Sequence, residues 1–249
     1  MGETKMTIAV IGGSGFEKLA FLKDPKNATI TTPYGKAKVI TGKIASKRVV
    51  FLSRHGSGHE IPPHMINYRA NIYALKKMNV KYIIATAIVG AMDKKIKPGN
   101  IDILSDYIDF TKSRQNTFSD AGKVIHVDMS QPYSDKMNKI IAGAIKRITN
   151  RIPRKLIYAA TEGPRFETKA EIKMFKNAGA HVVGMTGVPE VALANELGIP
   201  YAAITLSTNY AAGISKENLS MNEIFRMIER RKALVCKIIE ESVKKLYSA

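Results

Sequence analysis

Four short segments carry side chains whose types and spacing suit an anion held beside a flat polar ring. In Ile11-Gly12-Gly13-Ser14-Gly15-Phe16 the glycines let backbone approach an anion closely and Ser14 adds a hydroxyl, although a plain tight turn explains the same run equally well. Arg54-His55-Gly56 sets a forked cation beside a second donor, a pairing that suits a tetrahedral oxyanion; the competing reading is a surface arginine next to a packed histidine. Gly184-Met185-Thr186-Gly187-Val188-Pro189-Glu190 combines orphan amides of a helix start with the Thr186 hydroxyl, and Met185 suits the face of a ring. The fourth is a pair of segments, Glu162-Gly163-Pro164-Arg165-Phe166-Glu167-Thr168 and Ser207-Thr208-Asn209-Tyr210. Glu167 accepts and Asn209 donates, so together they complement a ring edge that offers an N–H beside acceptors.

Such groups need rigid supports, and the chain alternates between two periodicities that supply them. Apolar, β-rich runs at 7–11, 29–32, 37–42, 49–52, 82–87, 101–104, 155–160, 182–185 and 201–208 read as strands. Helical spacing covers 67–78, 135–147 after a Ser134 cap, 168–177 from the capping box Thr168-Lys169-Ala170-Glu171, and 189–197. A long terminal helix follows the box Ser220-Met221-Asn222-Glu223. Each chemical segment falls where a strand ends. Residues 112–133 form a polar, irregular stretch long enough to suggest a functional loop. No repeat or linker interrupts the pattern, which predicts one α/β domain over 1–249, a mixed central sheet flanked by helices.

Composition removes several classes. The 249 residues are 45% hydrophobic and 24% charged, as in a globular chain, and no apolar run approaches the roughly 18 residues that cross a bilayer. The first residues fit neither a signal peptide nor, with Met6 where a hydroxyl residue is required, a myristoylation signal. A cytoplasmic location without membrane association is expected. The formal charge of +18 would suit a nucleic-acid partner, but Lys and Arg are scattered and no aromatics interleave them, so a solvated basic surface is expected instead. His55, His59 and His64 share a loop without a zinc-like spacing or a completing ligand, and no metal is expected. Cys236 sits among apolar residues at helical spacing and reads as a buried, inert thiol.

Taken in order, Gly12-Gly13-Ser14-Gly15, Arg54-His55-Gly56, Asn67-Tyr68-Arg69-Ala70-Asn71, Pro98-Gly99, Glu162 to Thr168, Met185-Thr186 with Val188-Pro189-Glu190, and Thr208-Asn209-Tyr210 resemble the methylthioadenosine phosphorylase and purine nucleoside phosphorylase family over nearly the whole chain. The resemblance implies reversible phosphorolysis of a purine nucleoside to free base and ribose 1-phosphate, with inorganic phosphate as co-substrate, no cofactor, and a homotrimer or a dimer of trimers. It assigns phosphate to Ser14, Arg54, His55, Thr186 and the backbone around Ala87 and Ile88. It puts Met185 under the ribose, Glu167 on N1-H of the base, Asn209 on the N7 and O6 side, and Tyr210 and Ala211 beside them; Glu167, Asn209 and His55 are the catalytic set. His126, by the same resemblance, reaches a neighbour's pocket.

Within that family the chain departs from the methylthioadenosine-specific branch, which has an Asp-x-Asp pair at Asn209 and Ala211 and a serine at Glu167. The departures predict a 6-oxopurine, since a site built for one hydrogen-bonding edge rejects the mismatched one by roughly 10⁴. Met221 stands where the purine nucleoside branch has a histidine for the 5′-hydroxyl, which suits a thioether and adds S-methyl-5′-thioinosine to inosine and guanosine. Ala87 replaces a hydroxyl residue, which implies weaker hold on phosphate. A water-using nucleoside hydrolase and a nucleoside binder without turnover are the rival classes, and neither explains the complete motif set.

Overall fold

The computed structural model describes residues 6–17, 19, 21–119, 122, 124–216 and 219–248. Nine strands run in chain order as β1 (Thr7–Gly12), β2 (Lys23–Thr32), β3 (Gly35–Ile44), β4 (Lys47–Ser53), β5 (Val80–Ala91), β6 (Ile101–Asp109), β7 (Lys155–Ala160), β8 (Val182–Gly184) and β9 (Tyr201–Tyr210). The helices are α1 (Tyr68–Lys77), α2 (Asp135–Thr149), α3 (Lys169–Asn177), α4 (Glu190–Glu196) and α5 (Met221–Tyr247), with a single 3-10 turn at Pro63–Met65. One mixed sheet holds the strands in the order β2-β3-β4-β1-β5-β8-β7-β6-β9, and β9 returns to pair with β5 as well. That extra pairing closes β5, β8, β7, β6 and β9 into a ring.

Alternation along the strands sorts side chains onto two faces. Ile8, Val10, Phe51 and Ile84 meet Met137 and Ile141 of α2 and Ile224, Ile228 and Ile239 of α5. Ala9, Ile11, Leu52 and Ile83 meet Ile72 and Leu75 of α1 and Val191 and Leu193 of α4. Each fully buried side chain of this size contributes about 1.5–3 kcal/mol through its transfer from water. Rigidity at the strand ends comes from these two layers.

The expected strands all form, and β2, β5 and β6 outrun their expected ranges the most, each by five or six residues. β2 begins at Lys23 and pairs with β3 through backbone while its first five side chains stay exposed, so polarity concealed its start. β6 continues to Asp109 beside β7, and β5 extends through Ala91 because its end finds partners in both β8 and β9. At the helix starts, Asn67 caps α1 by accepting from the Ala70 amide, and Ser134 caps α2 from the Met137 amide. Thr168 and Glu171 close a full capping box on α3. Ser220, expected to do the same for α5, makes no side-chain cap bond. Cys236 on α5 is half-buried rather than buried, and burial pushes its thiol pKa up. No helix among the described residues is long and apolar enough to cross a membrane.

Candidate active site

A cavity of about 360 Å³ opens where β1, β4, β5, β7, β8 and β9 end and α5 begins. Its wall contains Ser14, His55, Ile88, Glu167, Met185, Thr186, Asn209, Ala211 and Met221, so nine residues expected from separate segments share one space. Arg54, Ala87 and Tyr210 do not line it. Ala87 is buried inside the β5–β9 ladder opposite Thr205, and Tyr210 turns outward to donate from its hydroxyl to Lys94 O at 3.3 Å.

Arg54, expected to hold an anion, stands behind the cavity wall. Its side chain is 1% exposed and forms a two-pronged bond to Glu190, Nε to Oε2 at 2.8 Å and Nη2 to Oε1 at 2.7 Å. Tyr201 donates a third bond to the same carboxylate at 2.6 Å. Burial opposes the guanidinium charge, yet Glu190 outweighs it and holds the pKa above the ordinary arginine value. The remaining Nη1 donates to Thr86 O at 3.2 Å and lies directly behind Gly13, where any Cβ would come within 2.8 Å of it. The cation therefore backs the glycine turn instead of standing in the cavity.

The anion end is also more occupied than its sequence suggests. Gly13 N donates to the Thr86 hydroxyl at 2.9 Å and Gly15 N to Glu17 Oε1 at 2.9 Å. The amides of Thr186 and Gly187, expected to face an anion, donate instead to the Tyr158 hydroxyl at 3.1 and 3.4 Å. His55 Nδ1 spends its proton on Ile61 O at 2.8 Å, and burial lowers the ring's pKa to about 4. Neutral His55 then offers a lone pair at Nε2, which accepts from a protonated oxyanion rather than donating to it. The Ser14 and Thr186 hydroxyls remain to donate. His59 stacks on His55 with centroids 4.4 Å apart and binds Glu17 at 2.9 Å, joining the two loops of this end. Among the described residues no three His, Cys, Asp or Glu side chains converge as a metal site, and His64 is exposed.

At the other end Glu167 accepts from the Thr161 hydroxyl at 2.7 Å, and burial raises its carboxyl pKa against that bond. Asn209, the penultimate residue of β9, accepts from Thr208 Oγ1 at 2.8 Å and donates to Tyr210 O at 2.9 Å, which holds the amide with one N–H unspent. Met185 forms the floor between the ends, and Gly163 (φ +63°) lies so close that a Cβ there would reach its sulfur at 2.6 Å. The outer rim is apolar. Phe166, Leu219, Met221 and Phe225 line it, with Met221 and Phe225 each about half exposed.

Three groups that organise this site went unread in the sequence: Glu190, Tyr158 and Thr161. Glu190 lay inside a noted segment without a role; a carboxylate leading directly into the apolar run Val191–Ala194 was a signal that some cation must be buried with it. Nothing local links it to Arg54, 136 positions away.

Comparison with known proteins agrees with this architecture. Residues 7–244 match the family model described as the phosphorylase superfamily. The chain is 45% identical over 246 residues to a probable 6-oxopurine nucleoside phosphorylase of Dictyoglomus turgidum, covering 98% of this chain and 90% of the relative. It is 46% identical over 236 residues to a probable S-methyl-5′-thioinosine phosphorylase of Methanocaldococcus jannaschii, covering 95% and 91%. Among solved structures, methylthioadenosine phosphorylase from Schistosoma mansoni in complex with adenine superposes with a TM-score of 0.92 at 30% identity, covering 98% and 93% of the two chains.

Proposed function

The chain belongs to the phosphorylase superfamily, and from that premise we propose that it is a 6-oxopurine nucleoside phosphorylase acting on inosine, guanosine and S-methyl-5′-thioinosine. The observation that carries the reading is the presence of Glu167 and Asn209 on the same cavity as Ser14, His55 and Thr186. An ionised Glu167 accepts from N1-H of a 6-oxopurine, and the free N–H of Asn209 donates toward N7 and O6. As the glycosidic bond breaks, the ribosyl group gains positive charge and the base gains negative charge. Phosphate on the far side of the ring stabilises the first and attacks it; Asn209 stabilises the second, and such a preplaced donor is typically worth 10²–10³ in rate. Ser14 and Thr186 donate to phosphate, while neutral His55 accepts a hydrogen bond from its remaining P–OH. Met185 packs under the sugar.

The apolar rim of Leu219, Met221 and Phe225 supports acceptance of a 5′-methylthio group. A second reading, cleavage of S-methyl-5′-thioadenosine, draws on the raised pKa of Glu167, because a protonated carboxyl donates to the unprotonated N1 of an adenine. The assembly proposed with this function is a homotrimer or dimer of trimers, in which exposed Met65 and Val124 would be covered and exposed His126 would reach a neighbour's site.

The test is release of base from inosine, guanosine, S-methyl-5′-thioinosine, adenosine and S-methyl-5′-thioadenosine, with and without phosphate, on a preparation whose mass is read by sedimentation. Phosphate-dependent cleavage that favours the 6-oxopurines is expected. Faster cleavage of the adenine pair overturns the base assignment, and release without phosphate overturns phosphorolysis.

A further inference from the structure

Arg114 lies in the irregular stretch after β6 and does not line the cavity, yet its side chain is 1% exposed. Its guanidinium gathers four acceptors from three separate segments. Nη1 donates to Val188 O at 2.6 Å and to the Tyr68 hydroxyl at 3.0 Å; Nη2 donates to Thr161 O at 3.0 Å and Glu162 O at 2.8 Å. Nε stands 3.6 Å from Glu162 Oε1, and the cation lies 5.3 Å from the centre of the Tyr68 ring. Glu162 returns the tie by accepting from the Lys112 amide at 2.7 Å.

These acceptors are the roots of the two functional ends. Thr161 is the residue whose hydroxyl holds Glu167, and Val188 lies between Thr186 and the Arg54 partner Glu190. We propose that Arg114 is a positioning residue that sets the spacing between the base-reading loop and the phosphate turn, so that base and phosphate are held in one geometry for transfer. A planar fork with fixed donor directions can tie three carbonyls and a hydroxyl at once. The tetrahedral ammonium of lysine carries the same charge but cannot span them, and leaves buried carbonyls without partners. Displacement of reacting groups by about 1 Å costs on the order of 10² in rate.

The inference rests on the phosphorolysis reading. Arg114→Lys and Arg114→Ala are compared with the unaltered protein for inosine and adenosine cleavage, with phosphate saturating and with activity expressed per folded molecule by thermal unfolding. Expected are a fall of about 10² in kcat/KM for inosine in folded Arg114→Lys, a smaller inosine-to-adenosine ratio as Glu167 loosens, and saturable recovery of at least about tenfold when methylguanidinium is added to Arg114→Ala. A folded Arg114→Lys with unaltered kcat/KM and base ratio overturns the proposal, as does activity in both variants that falls only with the folded fraction. Inactivity of the unaltered protein toward every nucleoside would instead count against the phosphorolysis reading.

Discussion

On the proposed function, Glu167 is expected to read opposite ring edges in its two protonation states. Ionised, it accepts from N1-H of a 6-oxopurine; protonated, it donates to N1 of a 6-aminopurine. Burial raises its pKa above the ordinary carboxylate value, so this exchange occurs at less acidic pH than for an exposed glutamate. The ratio of inosine to adenosine cleavage is therefore expected to rise with pH as the carboxyl loses its proton, and taking a ratio cancels the titration of phosphate itself. Glu167→Gln, whose amide holds both a donor and an acceptor at every pH, is expected to give a flat ratio. Kinetics of both substrates across mildly acidic to neutral pH check this, and a flat profile in the unaltered protein would remove Glu167 from base reading. His55 does not blur the result, since its pKa of about 4 leaves it neutral over this range.

Helix starts and strand ends hold these side chains in place, and the two serine or threonine boxes show how far local sequence reaches. Both read alike, yet Thr168 bonds the Glu171 amide and receives its carboxylate, whereas Ser220 makes no cap bond. Thr168→Ala is expected to cost about 1 kcal/mol. Ser220→Ala should stay within about 0.5 kcal/mol, the range for surface changes that remove no partner. Paired thermal unfolding of the two variants measures the difference, and equal losses would contradict the assigned caps. A similar lesson attaches to β5: the strand pattern is read only to 87, but its hydrogen bonding continues to Ala91 because β8 and β9 both reach its end. That extension puts Ala87 inside the ladder and moves the cavity wall on to Ile88, Val89 and Gly90.

Across the whole molecule, the formal charge of +18 says little about the anion end, where Arg54 is already paired and the His59 ring already has a carboxylate partner. Arg54 is taken by Glu190 and His59 by Glu17. Breaking a fully buried pair strands its partner, so Glu190→Gln is expected to lower stability by about 3–5 kcal/mol in urea unfolding, with Arg54 left uncompensated. A loss below about 1 kcal/mol would mean that Arg54 finds water or another acceptor. By itself the sequence determined the α/β class, the strand-end placement of the chemical segments and nine of the residues on the cavity wall. Those rest on side-chain type and on periodicities of two and 3.6, which are local properties. Only the tertiary structure decided which donors remain free. The Thr186 and Gly187 amides are taken by Tyr158, the His55 proton by Ile61, and Arg54 by Glu190. Tyr158 arrives from β7 and Glu190 from α4, while Ile61 folds back within the loop of His55 itself, and a hydrogen-bonding group has its function set by what is left after such partners are satisfied.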